Sequence, residues 1–294
     1  SPQILPASPM TCDMTVIMLY FTLSVTYLWM TMRKDLLHYV DRFEKRGWLY
    51  RLLLIGYKSD MEPKIERTAW WLSIAVLILI VMLSGGVIPW IFGLQSGRPG
   101  WFGSMAGPYF LTAALATSLG AVVVISIILR NIYHWQAEIK PEIIRGLSTV
   151  FGVLTHLYIY MTIAEQITLR FASTHGESSV SELLLEGQLA PIFWVMLVGG
   201  LAIPATILVA QAIKPKWFNT TVTLFTCIII LAAFWVKRFL IVVPSQLRPL
   251  MPFTTGNYQP SWVEWSVIVG SFAIAIFLYT VFLKIFPIVE LHDK

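Results

Sequence analysis

Charge is scarce in this sequence. Asp, Glu, Lys and Arg make up 13% of its 294 residues, where a soluble domain carries about a quarter. That deficit argues against a water-covered surface. Cysteine is scarcer still: Cys12 and Cys227 stand far apart and form no CxxC pair. A cluster of iron and sulfide needs about four thiolates, so the chain holds no iron–sulfur centre of its own. Histidine is thin as well. His38, His134, His175 and His292 fall outside the apolar runs, and His156 alone lies well inside one. A membrane b-type haem needs paired axial ligands, so haem is not expected. No signal peptide is visible, and the chain opens Ser1-Pro2-Gln3 without a Met, so an upstream part is expected to be missing.

What the sequence has in quantity is apolar length. Hydrophobic residues reach 57%. Met14 to Met32, Thr68 to Gly97, Pro99 to Leu129, Gly146 to Ala164, Gly187 to Ile213, Trp217 to Val236 and Trp265 to Leu283 carry no Asp, Glu, Lys or Arg. Each run is near or above the ~20 residues that cross hydrocarbon as a helix. Barrel strands would alternate polar and apolar over about 10 residues, and these runs do not. The expectation is an all-α integral membrane protein with seven visible transmembrane helices in a lipid bilayer.

The basic residues orient it. If the first run starts outside, 16 of the 21 Lys and Arg residues lie at inner ends, leaving Arg98, Arg170, Lys237, Arg238 and Arg248 outside. Positive residues stay on the cytoplasmic side. The N-terminus of the visible chain is therefore expected outside and the C-terminus inside, in the cytoplasmic membrane. The net charge of +5 signals topology rather than nucleic-acid binding. Residues 33–67 mix basic groups with Leu36, Leu37, Val40, Phe43, Trp48, Leu49, Leu52 and Leu53 at helical spacing. That pattern reads as an amphipathic helix on the inner leaflet, and equally as a connector folded against the bundle.

Several groups carry possible chemistry. Asp13, in Pro9-Met10-Thr11-Cys12-Asp13-Met14, stands at the mouth of the first helix. It can accept a proton or hydrogen bond from a hydroxyl ligand, or cap the helix and complement its dipole. Between the second and third runs, Gly97-Arg98-Pro99-Gly100-Trp101-Phe102-Gly103 breaks the backbone before Tyr109 and Phe110. These aromatics read as an interfacial belt or as the lining of a slot for a flat ring; Tyr109 is the best candidate for the second.

Charge inside the spans is the sharpest signal, because a charged group at the centre costs at least ~2.5–3.5 kcal/mol. Glu165 lies 20 residues beyond Arg145, and Lys237 lies 20 residues beyond Trp217. At a rise of about 1.5 Å per residue both sit near one boundary. Arg238 adjoins Lys237, and Glu264 opens the last helix from the same side. The group reads as an ion-pair network with a snorkelling Lys, or with His156 as a protonatable route. Finally, Gly85-Gly86-Val87-Ile88-Pro89 and Gly199-Gly200-Leu201-Ala202-Ile203-Pro204 share a Gly-Gly then Ile-Pro break, which permits close packing and kinks.

In these stretches the chain resembles the NrfD/PsrC family, the quinone-reactive membrane subunits of multi-subunit redox complexes. The resemblance rests on Pro-Met-Thr-Cys-Asp at 9–13, Arg-Pro-Gly-Trp-Phe with Ala-Gly-Pro-Tyr-Phe-Leu at 98–111, Leu-Tyr-Ile-Tyr…Glu at 157–165, Lys-Arg-Phe-Leu-Ile-Val-Val-Pro at 237–244 and Tyr-Gln-Pro-Ser-Trp-Val-Glu-Trp…Lys-Ile-Phe-Pro-Ile at 258–288. The long 33–67 segment is similar to the branch with alternative complex III, the quinone reductase complex and the Dsr complex. The resemblance implies two four-helix bundles. One would take residues 1–135 and be a helix short; the other would take 136–294. It implies a quinone of menaquinone type and an iron–sulfur partner subunit on the outer, periplasmic face. Molybdopterin-type or cytochrome c subunits would accompany that partner. Cys12 departs from the Trp usual beside the family's acidic residue, and 85–91 lacks the His and Asp of many members.

The functional expectation is a quinol-oxidising or quinone-reducing subunit. Asp13 would be the proton acceptor, and Tyr109, Arg98 and Trp101 would complete the quinone site. His156, Glu165, Lys237, Arg238 and Glu264 would form a proton path or an ion network. A secondary transporter of an ion or small anion, and a purely structural anchor, are the alternatives.

Overall fold

The computed structural model describes residues 9–40, 51–57, 61–95, 97–101, 103, 105–171, 175–248 and 259–286. Much of the amphipathic helix expected in 33–67 falls on 41–50 and 58–60, outside the described residues. The described residues hold no strand. Among the described residues, seven helical stretches are long and apolar enough to cross a membrane: Asp13–Arg33, Glu62–Gly93, Ala106–Ile132, Pro141–Phe171, Ala190–Ile213, Thr220–Leu247 and Trp262–Ile285. Large apolar side chains such as Ile163, Ile167, Phe225, Phe272 and Phe277 face outward from them. Water would reject that surface, and only hydrocarbon accepts it. The backbone polar groups are meanwhile satisfied within each helix.

The elements in chain order are α1 (Pro9–Val40), α2 (Glu62–Met82), a π-helical turn (Leu83–Val87), α3 (Ile88–Gly93), α4 (Ala106–Ile132), α5 (Pro141–Phe171) and α6 (His175–Leu185). Then come α7 (Ala190–Trp194), a second π-helical stretch (Val195–Ala202), α8 (Ile203–Ile213), a 3₁₀ turn (Pro215–Trp217), α9 (Thr220–Leu247) and α10 (Trp262–Ile285). The two π segments coincide with the two Gly-Gly breaks. Pro89 and Pro204 have no N–H for the carbonyl four residues back. The ladder shifts register just before each Pro: Ile88 N–H donates to the Leu83 carbonyl and Ile203 N–H to that of Val198. The expected kinks are therefore π-bulges.

The chain forms two compact units, residues 1–80 with 259–294, and residues 81–258. This grouping places α4 with α5 to α9. The short Tyr133–Lys140 connection makes α4 and α5 antiparallel neighbours.

In the 81–258 unit, α4 buries Tyr109, Thr112, Ala116, Gly120, Val123 and Ile127. α5 answers with Ile144, Ser148, Phe151, Thr155, Tyr158 and Thr162. Both stripes advance by three or four residues, one face of a helix. Lipid tails are as apolar as these side chains, so close packing rather than water exclusion drives the association. Gly107 shows how close: a Cβ there would stand 2.7 Å from the Gly85 carbonyl oxygen. Buried hydroxyls turn back on their own helix, as Thr155 Oγ1 does to the Phe151 carbonyl at 2.8 Å and Thr162 Oγ1 to that of Tyr158 at 2.9 Å. α8 and α9 are joined by a buried bond from Thr223 Oγ1 to Gln211 Oε1, 2.8 Å. Asn219 caps α9 by accepting from the N–H groups of Thr221 and Val222.

In the other unit, the lower part of α1 is tied to the 51–57 segment. Trp29 Nε1 donates to the Leu53 carbonyl at 2.9 Å, and Arg33 Nη2 to that of Ile55 at 2.8 Å. The Arg33 guanidinium lies 3.9 Å from the Trp29 ring centroid.

Candidate functional site

The start of α4, the last turns of α5 and the last third of α9 meet at one end of the 81–258 unit. Tyr158, Thr162 and Glu165 fall at i, i+4 and i+7, one face of α5; Phe234 and Lys237 fall at i and i+3 on α9. Those faces meet Tyr109. Its ring stacks on Tyr158 with centroids 4.5 Å apart and planes at 20°, and Tyr158 packs on Phe234 at 4.6 Å. Lys237 Nζ is 5.5 Å from the Tyr109 ring centroid and donates to Glu165 Oε2 at 3.0 Å.

Burial gives this pair its importance. Lys237 is 1% exposed and the Glu165 side chain 26%. Lys237 does not snorkel; it belongs to the buried stripe of α9 and turns inward to a carboxylate. Tyr109 is 3% exposed, and its buried hydroxyl lies beside the Tyr158 and Thr162 side chains without a hydrogen bond of good geometry to either. An unpaired buried hydroxyl costs ~1–3 kcal/mol, so it invites a ligand or water.

The loop between α3 and α4 roofs this end. Gly100 adopts φ +81°, where a side chain is strained, and a Cβ there would meet Val180 of α6 at 3.2 Å. The next residue, Trp101, donates its indole N–H to the Ile241 carbonyl at 3.1 Å. Pro244 lies inside α9 and has no N–H for the carbonyl of Leu240, the residue before that acceptor. Trp101 also packs on Phe92 at 5.0 Å, and Phe92 on Phe110 at 5.6 Å.

Two cavities flank Tyr109. The larger is about 350 Å³, in the usual range for a small-molecule site, and is lined by Ser84, Phe92, Phe110, Tyr158, Phe234 and Arg238 beside Tyr109. The smaller is about 80 Å³ and is lined by Trp101, Tyr109, Glu165, Thr168 and Glu177. Tyr109, Phe110 and Ile241 belong to both walls.

The expected site residues fall as follows. Tyr109, Glu165 and Lys237 are in mutual reach. Trp101 is their roof. Arg238 lines the larger cavity and has no carboxylate within 4.0 Å among the described residues. Arg98 is half-buried in the same loop but lines neither cavity. His156 lies on the opposite face of α5 from Glu165, nine residues or about 900° of helical rotation away. Its Nδ1 donates to the Gly152 carbonyl at 2.8 Å and its Nε2 is 3.3 Å from Thr206 Oγ1.

Glu264 and Asp13 belong to the other unit. Glu264 completes a capping box with Ser261, accepting the Ser261 N–H at 2.6 Å. Asp13 sits a full turn inside α1, too far in to be its cap, and its Oδ1 is buried without a hydrogen-bond partner among the described residues. Phe102, a further slot aromatic, lies outside the described residues.

Sequence reasoning passed over Tyr158, Thr162, Phe234 and α6. Tyr158 and Thr162 were legible in principle from their i−7 and i−3 spacing to Glu165. α6 is too short and too polar to stand out as a span, yet its Val180 presses on Gly100 and its Ser181 donates to Gln166 Oε1 at 3.2 Å.

An apolar, aromatic-walled cavity, a guanidinium at its edge and a carboxylate–ammonium pair, all within a bundle of membrane-length helices, define a multi-pass membrane protein with an internal cavity. The chain belongs to the polysulphide reductase, NrfD family, whose model matches residues 3–250. It is similar to a candidate membrane subunit of the dimethyl sulfoxide reductase of Halobacterium salinarum, at 28% identity over 96% of this chain and 66% of that protein. It is 22% identical to a subunit of the selenate reductase of Mesobacillus selenatarsenatis, over 96% of this chain and 68% of that one. It is also 22% identical to the Hdr-like menaquinol oxidoreductase integral membrane subunit of Archaeoglobus fulgidus, over 81% of this chain and 61% of that one. The chain thus spans about two thirds or less of these relatives' lengths.

Proposed function

We propose that the chain is a quinone-reactive subunit of a membrane oxidoreductase complex, with the ring of a quinone or quinol held in the larger cavity. The observation that carries this is the cavity beside Tyr109, about 350 Å³, walled by aromatic rings and edged by Arg238. A flat ring fits between aromatic faces, and a guanidinium donates to its oxygen. The relative named for a menaquinol oxidoreductase favours a menaquinone-type ring. Trp101 backs Phe92, one wall of that cavity, and Arg98 lies in the same loop to meet the ring's approach.

The excess of Lys and Arg at the opposite ends of the spans supports an outer position for this site in the cytoplasmic membrane, with α1 starting outside and α10 ending inside. An iron–sulfur subunit above that face, with molybdopterin-type or cytochrome c subunits beyond it, would exchange the electrons. Asp13, with its unpartnered buried oxygen, is a proton acceptor in its own unit. Glu165, Lys237, Arg238, Glu264 and His156 are the groups through which redox work would be coupled to proton movement.

Quinone extraction from the detergent-purified complex tests the reading. Stoichiometric quinone, lost when Ala113→Phe fills the larger cavity from a position in its wall, supports it. Partners without quinone would leave a structural anchor, and neither would leave a transporter.

A further inference from the structure

The proton chemistry of the site follows from the two cavities that share Tyr109. We propose that Glu165 is the acceptor of a ring-hydroxyl proton, relayed by the Tyr109 hydroxyl, and that the smaller cavity is the outlet through which Glu165 returns that proton to water. The proposal rests on the ring site above and assigns its proton chemistry.

Three observations carry it. The Tyr109 hydroxyl is buried without a hydrogen bond of good geometry, beside the Tyr158 and Thr162 side chains, in a wall common to both cavities. It can therefore accept a hydrogen bond from a ring hydroxyl while giving its own proton away. Glu165 lines the smaller cavity with Tyr109, and its side chain keeps 26% of its surface exposed. Lys237, on the far side of the ion pair, is sealed at 1%. The carboxylate is the member of the pair that can trade protons with water. The smaller cavity, about 80 Å³, has room for a few waters between Glu165, Thr168 and Glu177.

The groups facing Glu165 come from every helix packed around it: Tyr109 from α4, Lys237 from α9, Glu177 from α6 and Tyr158 from its own helix. Lys237 donates to the carboxylate at 3.0 Å, and Glu177 provides a second acidic wall on the way out.

The step balances as follows. A ring O–H bond breaks, its proton passes to the Tyr109 oxygen, and the Tyr109 proton passes to a Glu165 oxygen. One electron leaves the ring for a one-electron acceptor of the iron–sulfur class. Once Glu165 has released the first proton through the smaller cavity, the proton of the second hydroxyl follows the same route and the second electron goes to the same class of acceptor. Run backwards, the same path delivers protons to a quinone being reduced.

The test uses the assembled complex with a quinol substrate, and follows both turnover and bound quinone. Glu165→Gln alone strands the buried Lys237 charge, so the deciding variant is Glu165→Gln with Lys237→Met, which removes the pair together. The expected result is wild-type quinone content and KM, with kcat at least ~100-fold lower, the size of a lost general base. Glu165→Asp is expected to keep part of the rate. A double variant with wild-type kcat would show that Glu165 merely neutralises Lys237, and would overturn the proposal while leaving the ring site standing. Wild-type complex without quinone would overturn both.

Discussion

Lys237 Nζ and Glu165 Oε2 lie 3.0 Å apart, and the two side chains differ sharply in exposure, at 1% and 26%. The pair is asymmetric: one charge is sealed within the bundle and the other reaches a cavity.

That asymmetry predicts unequal costs. Removing one partner of a buried pair costs ~3–5 kcal/mol, because the other charge is left uncompensated. Glu165→Gln strands the sealed Lys237 and should approach that range. Lys237→Met leaves a carboxylate that water can reach and should cost less. Thermal denaturation of the purified protein in detergent compares them, and the double variant should be more stable than Glu165→Gln alone. Equal losses in both single variants would refute the asymmetry.

Gly107→Ala places a methyl 2.7 Å from the Gly85 carbonyl oxygen, where two backbones would have to part. A loss of ~1–3 kcal/mol is expected, as for overpacking elsewhere. Gly146→Ala is the control. Nothing lies within 4 Å of that position, and alanine favours a helix by ~1 kcal/mol. Melting temperatures of the two variants should move in opposite directions.

Trp101→Phe keeps an aromatic ring against Phe92 but deletes the donor to the Ile241 carbonyl. Losing one such bond costs ~0.5–1.5 kcal/mol locally. The roof should loosen before the bundle does. Limited proteolysis within 94–105 should speed up while the global melting temperature stays nearly unchanged. An unaltered cleavage rate would mean that the indole bond does not hold the loop.

Arg238→Gln removes the charged edge of the larger cavity and leaves its aromatic walls. A hydrogen bond to a charged group is worth ~1.5–3 kcal/mol, so quinone affinity should fall roughly 10- to 100-fold. Titration of a quinone analogue by quenching of tryptophan fluorescence measures it. Unchanged affinity would place the ring elsewhere.

Asp13→Asn keeps the size of a side chain whose Oδ1 is buried without a partner among the described residues. Assembly should be intact, and only if Asp13 rather than Glu165 takes the ring proton should quinol turnover fall at least ~100-fold, as for loss of a general base. Normal turnover would reduce Asp13 to a structural role.

Much of this protein was legible in its sequence. Uncharged runs of about 20 residues leave the chain no water-compatible solution, so seven membrane-length helices follow from composition alone. The charges inside those runs marked Glu165 and Lys237 because hydrocarbon makes such residues conspicuous. Tyr109 stood out as a phenol entering a helix after a broken loop. α6 did not stand out, since eleven mixed residues carry neither the length of a span nor the spacing of a strong motif.

Sequence alone determined the class, the spans and the conspicuous charges, because these depend on local composition and on the fixed thickness of a bilayer. Tertiary structure decided which of those charges meet. Glu165 pairs with Lys237 72 positions away, Glu264 caps its own helix, and His156 turns to the other side of α5. It also placed Tyr109 in the wall between two cavities. Such choices depend on how helix faces rotate and pack against one another, and a rotation of about 100° per residue carries neighbours in sequence to different neighbours in space.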